Sequence, residues 1–566
     1  MVDAVARPWI RSYAEGVPAD IPEPDGSLYD LIETSARRHP DAVALEFFGA
    51  ETTYAALLEQ IERAAEGLRR LGVRAGDHVA LVVPNCPQHV AAFYAVLRLG
   101  ARVIEHNPLY TPREMRHQFE DHGAKVAIAW DKAVATLQDF PADVRPEHIV
   151  SVDVTRAMPA RMRAMLRLPI RKARESRAAL TTSVRDTLPW ERLVANAPID
   201  RGHARPHVGD IALLQYTTGT TGNPKAAILT HRNLIANARQ SRAWIPDIPD
   251  GGAVVYAVLP MFHAYGLTLC LTLAMSLGAR LVLFPKFDPD LVLKVVKKRP
   301  ATLFAAVPPI YRRTMQAAAE RGVSLRGIGI GISGAMPLPT DVVEPWEAAT
   351  GGWLVEGYGL SECSPVIAAN PVASHRRVGA VGLPLPSTEV RVVDPEQPTK
   401  VVATGEEGEL LVRGPQVFQG YWNRPEETAA VFVAADDGGP DWFRTGDIVT
   451  IDGDGFITVV DRIKELIITG GFNVAPSEVE DALRRHPAIA DAAVVGLPSA
   501  TAGEDVIAAV VLEPGEDYDE QAVRDFARGI LAAYKVPRRL YIVDELPRSL
   551  IGKVLRKRVR ESLLER

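Results

Sequence analysis

A string of small and hydroxyl-bearing residues follows a short apolar run at residues 211–214. Residues 216–225 read Tyr-Thr-Thr-Gly-Thr-Thr-Gly-Asn-Pro-Lys. Glycines let backbone N–H groups approach anionic oxygens, threonine hydroxyls add hydrogen-bond donors, and the lysine adds a positive charge. The string lacks the Gly-Lys-Ser/Thr ending of the phosphoryl-transfer P-loop, so it predicts a phosphate cradle of another kind rather than a flexible turn. The expected contacts are Thr217, Thr218, Gly219, Thr220, Thr221, Gly222 and Lys225.

Alternating helices and strands have to position this loop. Apolar residues recur at helical spacing over 53–71, and a short apolar run at 78–83 ends at a proline, which is typical of a buried strand. A helix over 87–99, a strand over 102–104 and a helix N-capped by Thr111, with Pro112 and Glu114 in its first turn, continue the pattern. The pattern resumes at Ile211 and runs beyond residue 330. Strands that alternate with helices at this spacing predict crossover connections and a parallel sheet.

The character of the sequence changes after about Asp394. Short strands with glycine-rich turns, at 408–413 and 455–460, predict a small β-rich subdomain. A final segment of about a hundred residues is long enough for its own core. Its predicted order is strand 466–468, helix 477–485, strands 492–495 and 506–512, helix 519–533 and strand 539–543. We therefore expect an α/β protein with a large N-terminal domain of layered sheets at 1–461, which includes the β-rich subdomain, and a small mobile α+β domain at 462–566.

The composition argues against several classes of protein. A chain of 566 residues exceeds one ordinary core, and 47% hydrophobic with 24% charged residues is typical of globular proteins. The net charge of −6 argues against a general nucleic-acid binder. The three cysteines stand far apart, fit no metal or disulfide spacing, and favour a reducing cytosol. We expect no signal peptide, and the apolar stretch 266–278 is shorter than the ~20 residues of a spanning helix.

One segment, residues 156–177, is unusually basic. It carries eight arginines and lysines against a single acid, Glu175, with methionine, leucine and isoleucine interleaved. Such a segment is typical of an interfacial element drawn to anionic lipid, and also of a solvated, mobile surface insertion. Pro159 and Pro169 disfavour a continuous helix. Both interpretations stay open at this point.

The loop at 216–225 resembles the signature of the adenylate-forming superfamily, which includes acyl-CoA synthetases, firefly luciferase and peptide-synthetase adenylation domains. The resemblance covers nearly the whole chain, and further motifs follow in the family's order. They are the gate motif at 259–263, the adenine and metal segments at 333–337 and 356–362, the ribose motif at 444–447, the hinge at 461–465 and the lysine motif at 549–553. After Lys225 most relatives have glycine, whereas this chain has Ala226, a departure that removes no reacting group.

The resemblance implies a reaction in two steps. A carboxylate first attacks the α-phosphate of ATP to give acyl-AMP and pyrophosphate, and the thiol of coenzyme A then takes the acyl group. Lys553 is expected to bridge carboxylate and phosphate, His263 to orient the carboxylate, and Lys464 to serve as the pivot of a domain rotation between the steps. Glu362 is expected to bind Mg²⁺, because a hard cation prefers oxygen ligands.

The remaining implied contacts are with the nucleotide and with coenzyme A. Tyr358 resembles the residue that stacks on adenine, Asp447 would accept bonds from both ribose hydroxyls, and Arg462 would contact ribose or phosphate. The other expected nucleotide contacts are Gly334, Ala335, Glu356, Gly357, Gly359 and Ser361. Gly470, Gly471 and Phe472 would line the passage for the thiol of coenzyme A.

The acid itself is indicated by weaker signals. Residues 107–114, 382–389 and 414–417 resemble bacterial long-chain fatty-acid:CoA ligases, and Met261, Phe262 and Leu267 could line an apolar channel or belong to ordinary core. A medium-chain or aryl acid:CoA ligase, and a fatty acyl-AMP ligase without the coenzyme A step, remain alternatives. A non-catalytic acyl- or nucleotide-binding protein should have lost Lys553, Glu362 or Asp447, and all three are present.

The expected partners are small molecules rather than nucleic acid, with the chain a monomer or a homodimer. A peptide-synthetase adenylation domain is disfavoured, since the sequence shows no carrier segment after the lysine motif. We expect a cytoplasmic protein, with peripheral contact to the inner face of the cell membrane through 156–177 if the lipid interpretation holds.

Overall fold

The computed structural model describes residues 7–217, 224–469, 472–499, 503–516, 518–549 and 552–565. Two large sheets occupy the N-terminal part of the described chain. The first has seven strands and is parallel except for its last pair, in which Thr217 faces Lys225 across an antiparallel hairpin. The phosphate-loop string therefore connects the two strands of this hairpin. In spatial order the strands are Leu188–Pro189, His148–Val152, Val126–Trp130, His78–Val82, Arg102–Glu105, Ile211–Thr217 and Lys225–Thr230.

The second large sheet has nine strands within the described residues. Its central strands are parallel, and antiparallel strands close both edges. Parallel strands end at one edge of a sheet, and ligands of α/β proteins bind outside that edge. In spatial order the strands are Leu383–Pro384, Val366–Ala369, Trp353–Gly359, Ile330–Ser333, Leu303–Ala306, Val254–Ala257, Arg280–Leu283, Val43–Phe47 and Ala50–Thr53.

A β-rich region and a small α+β region complete the described chain. The β-rich sheet contains Glu389–Val393, Gly408–Arg413, Trp442–Ile451, Phe432–Val433 and Ile457–Arg462. The last sheet contains Phe472–Val474, Ile467–Thr469, Gly503–Leu512, Ile489–Ser499 and Arg539–Ile542. Two apolar clusters between Ile467 and Leu563 belong to this last region alone. The predicted fold class, α/β with a β-rich part and a small α+β part, is confirmed.

Helices cover the faces of the sheets, and most predicted bounds agree within a few residues. Thr111 caps its helix with a capping box, as its sequence indicates. The helix predicted over 519–533 ends earlier, at Arg528, because Gly529 follows and glycine is a poor helix former. The strand predicted over 455–460 begins at Ile457, since Gly455 adopts a φ of 92° in the preceding turn.

The bounds of the α-helices are as follows. They are Leu28–Arg38, Tyr54–Arg70, Pro87–Arg98, Pro112–His122, Asp131–Gln138, Ala160–Leu166, Arg171–Leu180, Trp190–Leu193, His231–Ala243, Ala264–Gly266, Leu273–Ser276, Pro289–Val296, Pro308–Glu320, Thr340–Thr350, Pro425–Ala429, Pro476–Arg484, Glu520–Arg528 and Arg556–Leu564. Shorter 3₁₀ turns lie at Pro8–Ser12, Val154–Ala157, Ser361–Cys363 and Ile463–Glu465, and a π-helical turn at Leu267–Thr272. Among the described helices, none has the length and apolar character needed to cross a bilayer.

Candidate active site

A cavity of about 1890 Å³ lies where the ends of the large sheets meet the β-rich and C-terminal regions. The loop after Ile330–Ser333 and the end of Trp353–Gly359 both reach its wall, as expected for adjacent parallel strands. Ala335, in that loop, adopts a left-handed φ of 66°, an uncommon conformation for a residue with a Cβ. The predicted site residues that line the cavity are Thr217, Lys225, His263, Gly334, Ala335, Gly357, Tyr358, Gly359, Ser361, Glu362, Arg462 and Lys553.

A buried carboxylate stands behind this wall. Asp447 is 1% exposed, and its backbone pairs with that of Arg462 across two antiparallel strands. The Tyr358 hydroxyl donates to Asp447 Oδ2 over 2.5 Å, and Arg462 Nε lies 2.8 Å from Asp447 Oδ1. Burial raises the pKa of Asp447, while Arg462 and Tyr358 oppose that rise. The ribose motif and the hinge motif are therefore joined by one ion pair.

Lys553 approaches this carboxylate from the C-terminal region. Its backbone N–H donates to Ser549 Oγ over 3.1 Å, and the preceding Gly552 has a φ of 81°. A Cβ at Gly552 would lie 3.6 Å from Met336 Sδ, so this turn packs against the N-terminal region. Burial, and then the charge of Arg462, lower the pKa of Lys553. A partly desolvated cation at the cavity wall suits the binding of an anionic ligand.

Arg556, three residues beyond Lys553, is a site neighbour that the motifs did not indicate. Its Nη2 lies 2.8 Å from Glu480 Oε2, its Nη1 lies 3.8 Å from Asp461 Oδ1, and it also pairs with Glu465. Burial lowers the pKa of the guanidinium, but these carboxylates outweigh it and leave the pKa raised. The network holds the lysine turn beside the hinge. The role of Arg556 is visible only in the folded structure, because its ion-pair partners lie far from it in the sequence.

His263 faces the cavity as a neutral imidazole. Burial lowers its pKa to about 4. Its Nδ1 accepts a hydrogen bond of 3.3 Å from the backbone N–H of Tyr265, so the proton of the neutral ring is on Nε2. A histidine in this state offers a hydrogen-bond donor and is a weak base.

Glu362 and Lys225 stand on the phosphate-loop side of the cavity. The Tyr421 hydroxyl donates to Glu362 Oε1 over 2.8 Å, and the Lys225 ammonium lies 5.1 Å from the centre of the same ring and pairs with Glu427. The Glu362 carboxylate and the hydroxyls of Ser361 and Thr217 line the same cavity and offer oxygen atoms as ligands for a metal ion. The described residues contain no cluster of three or more metal-binding side chains. A single carboxylate with neighbouring hydroxyls suits Mg²⁺, because this ion keeps several water ligands and is also coordinated by the phosphate oxygens of the substrate.

Sequence comparison places these features in a known family. The AMP-binding enzyme profile matches residues 32–422, and the profile of the AMP-binding enzyme C-terminal domain matches residues 478–553. The chain belongs to the AMP-binding enzyme family. The predicted resemblance to adenylate-forming acyl-CoA synthetases is thereby confirmed.

Individual members of the AMP-binding family match nearly the whole chain. A long-chain-fatty-acid–CoA ligase of Bacillus subtilis is 38% identical over 99% of this chain and 98% of its own. A feruloyl-CoA synthase of Amycolatopsis sp. is 35% identical over 93% of this chain and 96% of its own. The crystal structure of ATP-bound MatB from Rhodopseudomonas palustris superposes with a TM-score of 0.78 at 31% identity, over 94% of this chain and 98% of its own.

Of the three residues that could line an apolar channel or belong to ordinary core, one reaches the cavity. Phe262 lines the cavity, but Met261 and Leu267 are fully buried in the main core and do not reach it. Met261 is held there because its backbone N–H donates to Asn85 Oδ1 over 2.8 Å. Other apolar side chains line the cavity instead, from helix, strand and loop positions that no motif marks. They are Trp244, Ile245, Leu269, Val366, Ala369 and Leu385.

Glu356, like Asp447, is a predicted nucleotide contact that does not line the cavity. It is 7% exposed, and its Oε1 accepts a hydrogen bond of 3.2 Å from the backbone N–H of Leu338. Successive side chains of a strand point to opposite faces, so Glu356 points away from the face on which Gly357 lies. Burial raises its pKa to about 8. A contact between this carboxyl and the nucleotide is not supported.

Several predicted residues lie outside what the structure describes. Thr218, Gly219, Thr220, Thr221 and Gly222 of the loop, and Gly470 and Gly471 of the coenzyme A passage, are among them. Phe472 begins the strand Phe472–Val474, and Lys464 lies in the 3₁₀ turn Ile463–Glu465, with neither side chain described. Ala226, the departure from the family pattern, belongs to the strand Lys225–Thr230 and is fully buried.

Two histidines support the strand that leads into the phosphate loop. His122 Nδ1 accepts from the backbone N–H of Ala124 over 3.0 Å, which places its proton on Nε2, 3.1 Å from His106 Nε2. His106 Nδ1 then donates to Gln118 Oε1 over 2.7 Å. The His106 ring stacks 6.1 Å from that of Tyr216, next to Thr217. Burial lowers the pKa of His106 to about 4 and that of His122 well below its usual value.

Proposed function

We propose that this chain is an ATP-dependent carboxylic acid:CoA ligase that makes acyl-AMP and then acyl-CoA, with a long-chain fatty acid as its substrate. The observation that carries the proposal is the meeting of Lys553, Arg462 and His263 at one cavity, with Asp447 behind its wall. Membership of the AMP-binding family supports the chemistry. Identities of 38% and 34% to bacterial long-chain-fatty-acid–CoA ligases support the acid.

In the first step the acid's carboxylate oxygen attacks the α-phosphorus of ATP, and the bond to the β-phosphate oxygen breaks. Such a step depends mainly on the neutralisation of negative charge, because several anionic groups have to be brought together. Lys553 supplies a positive charge between carboxylate and α-phosphate, and Lys225 supplies another for the leaving pyrophosphate. His263 donates its Nε2–H to the carboxylate and orients it. Asp447 accepts from the ribose hydroxyls while Arg462 fixes its position.

Glu362, with Ser361 beside it, would hold Mg²⁺ in this site. When bound, the ion would neutralise phosphate charge. The Tyr421 hydroxyl, which donates to Glu362 Oε1, fixes the direction of the carboxylate. Tyr358 both contacts adenine with its ring and holds Asp447 with its hydroxyl.

In the second step the thiolate sulfur of coenzyme A attacks the acyl carbon, and AMP leaves. Lys553 has no role there, so residues 462–566 rotate against residues 1–461 about Lys464 between the two steps. The separate apolar clusters of the C-terminal region support its treatment as one moving unit. Gly470, Gly471 and Phe472 then line the passage of the thiol.

The proposed activity also implies particular partners and a cellular location. Its partners are small molecules, namely the carboxylic acid, ATP and coenzyme A, and it acts as a monomer or homodimer in the cytoplasm. It also touches the inner face of the cell membrane through residues 156–177, from which a long-chain acid is drawn. The exposed basic helices of that segment support this part.

A pyrophosphate-release screen tests the function. Acetate, octanoate, palmitate, benzoate and ferulate are each supplied with ATP, with and without coenzyme A. Highest turnover with palmitate, with acyl-CoA as the product, is the expected result. Preference for ferulate or benzoate would replace the fatty acid by an aryl acid, consistent with the feruloyl-CoA synthase relative. Acyl-AMP that never reaches coenzyme A would make the chain an acyl-AMP ligase, and no turnover with any acid would refute the enzyme.

A further inference from the structure

Lys225, which the proposed function assigns to the phosphates of ATP, has an anionic partner within the protein. Its ammonium forms an ion pair with the carboxylate of Glu427, a residue of the helix Pro425–Ala429. Both residues line the active-site cavity. The Lys225 side chain is 17% exposed and that of Glu427 is 38% exposed, so the lysine is the more buried partner. A phosphate that approaches Lys225 from the cavity therefore meets this carboxylate as well.

The backbone brings the two elements together. Residues 419–422 run beside the strand Lys225–Thr230, and Ile228 bonds to them on both sides of its peptide. The N–H of Ile228 donates to the carbonyl oxygen of Gly420 over 2.9 Å, and the carbonyl oxygen of Ile228 accepts from the N–H of Gln419 over 3.2 Å. The start of the helix that carries Glu427 is therefore fixed next to the strand that begins at Lys225.

A threonine holds that short helix in place. The Thr428 hydroxyl donates to the carbonyl oxygen of Arg424 over 2.8 Å, and its Oγ1 accepts from the backbone N–H of Tyr421 over 2.9 Å. Neither bond uses the side chain of Glu427. Substitution of Glu427 should therefore leave the backbone of the helix where it is.

Arg424 gives Glu427 a second cation. Its Nε lies 3.6 Å from Glu427 Oε1, and its Nη2 lies 3.8 Å from Asp121 Oδ1. The pair of Arg424 with Glu427 is exposed to solvent, and exposed ion pairs are weak. When Lys225 turns to a phosphate, Glu427 still faces Arg424, so the carboxylate keeps a cationic neighbour. The exchange of partners by Lys225 is therefore easily reversed.

We propose that Glu427 is a positioning residue that competes with phosphate for Lys225, an inference that rests on the proposed function. Its carboxylate holds the ammonium when no phosphate is bound, gives it up to the phosphates of ATP, and takes it back as pyrophosphate leaves. The ligand class is a polyphosphate, either free or attached to a nucleoside, because its negative charge exceeds that of one carboxylate.

Competition of this kind matters more for pyrophosphate than for ATP. ATP is also held through its adenine and ribose, near Tyr358 and Asp447, whereas pyrophosphate has only the contacts of the phosphate side. Glu427 weakens the binding of both at Lys225 by the same factor, but that factor is a larger share of what holds pyrophosphate. Product release limits the rate of many enzymes, and a weaker hold on the product shortens its residence time.

Binding measurements with the full chain test the competition. The probes are pyrophosphate and ATP, each with Mg²⁺, titrated by calorimetry into wild type and into Glu427→Gln, which removes the charge and keeps the shape. An exposed ion pair changes an equilibrium constant by up to about fivefold, so both dissociation constants should fall about fivefold in the variant. The inhibition constant of pyrophosphate in the adenylation assay should fall by the same factor, while the KM for the acid should not change.

Glu426→Gln is the matched control. Glu426 precedes Glu427 in the same helix, is exposed, and does not line the cavity. The control removes the same charge and should bind both probes as wild type does. Equal tightening by the two variants would reduce the effect to net charge and overturn the proposal, as would an unchanged dissociation constant of pyrophosphate in Glu427→Gln.

A double-mutant cycle separates competition for the lysine from direct repulsion between Glu427 and phosphate. In a chain that carries Lys225→Gln, the further change Glu427→Gln should not alter the dissociation constant of pyrophosphate, because the cation that the two anions compete for is gone. A fivefold gain that persists in the absence of Lys225 would overturn the proposal.

Activity measurements separate this inference from the function beneath it. If wild type binds both probes and Glu427→Gln binds them more tightly, but no acid is ligated, the ligase proposal fails and the competition stands. If wild type ligates palmitate and Glu427→Gln changes neither dissociation constant, the competition fails alone.

Discussion

Replacement of Lys553 by alanine should separate the two half-reactions. The ammonium approaches the cavity beside Asp447 and Arg462, and burial together with Arg462 lowers its pKa. Two unit charges about 4 Å apart attract by roughly 4 kcal/mol at an effective dielectric constant of about 20, against about 1 kcal/mol in water. Each 1.36 kcal/mol is about a tenfold rate. Lys553→Ala should therefore slow acyl-AMP formation about a thousandfold, in the upper part of the range for one lost electrostatic contact.

The second half-reaction should survive the same substitution. With acyl-AMP supplied, Lys553→Ala should form acyl-CoA within a few fold of the wild-type rate, because the lysine has no part in thiol attack. Arg539→Ala, which removes an exposed cation from the same region, should change neither half. Equal loss of both halves would show that the substitution disturbs the fold or that Lys553 has another role. Full adenylation activity would refute the electrostatic reasoning.

The lowered pKa of Lys553 adds a pH signature. Only the protonated amine assists the first step, so kcat/KM for adenylation should fall on the alkaline side at a lower pH than an ordinary lysine allows. The coenzyme A half-reaction should lack this limb. An identical alkaline limb in both half-reactions would assign it to another group.

Three other substitutions test separate parts of the site. Lys464→Pro fixes φ at the pivot and should leave pyrophosphate release intact while stopping acyl-CoA formation; loss of both would show local unfolding. Tyr358→Phe removes the donor to Asp447 and should raise the KM for ATP about tenfold with kcat nearly unchanged, whereas an unchanged KM would contradict a nucleotide role for the pair. Arg556→Met removes the closer of the two arginines that pair with the buried Glu480, leaves Arg484 at 3.4 Å, and should lower the free energy of unfolding by about 2 kcal/mol in urea titrations. A midpoint equal to that of wild type would show that the ion-pair network is unimportant.

Local signals in the sequence were enough to predict the order and type of most helices and strands. The capping box at Thr111 and the alternation of helix and strand depend on neighbouring residues, and both predictions are confirmed. The motifs placed Arg462 and Lys553 in one site because family members share it. The two predicted element ends that differ from the structure lie at Gly529 and Gly455, because at a glycine the energy of continuing a helix or strand differs little from that of ending it.

What the sequence left open depends on contacts between distant residues. Tyr421 reaches Glu362 across 59 positions, and Arg556 reaches Glu480 across 76. No periodicity encodes such pairs. The sequence could not assign Met261 to core or to cavity lining for the same reason, since core and cavity lining have the same composition and only the packed structure separates them.

The paired histidines His106 and His122, beside the strand that ends at Thr217, make the nucleotide site sensitive to acid. Each ring accepts through one nitrogen and donates through the other, so an added proton on His106 would set two N–H groups against each other. Burial lowers the pKa of His106 from 6.5 to about 4, so the neutral pair contributes stability above pH 6.5 that is lost as the pH falls toward 4. The support of the strand that ends at Thr217 weakens over that interval. As the pH falls from 6.5 toward 4, the enzyme's hold on ATP would therefore loosen.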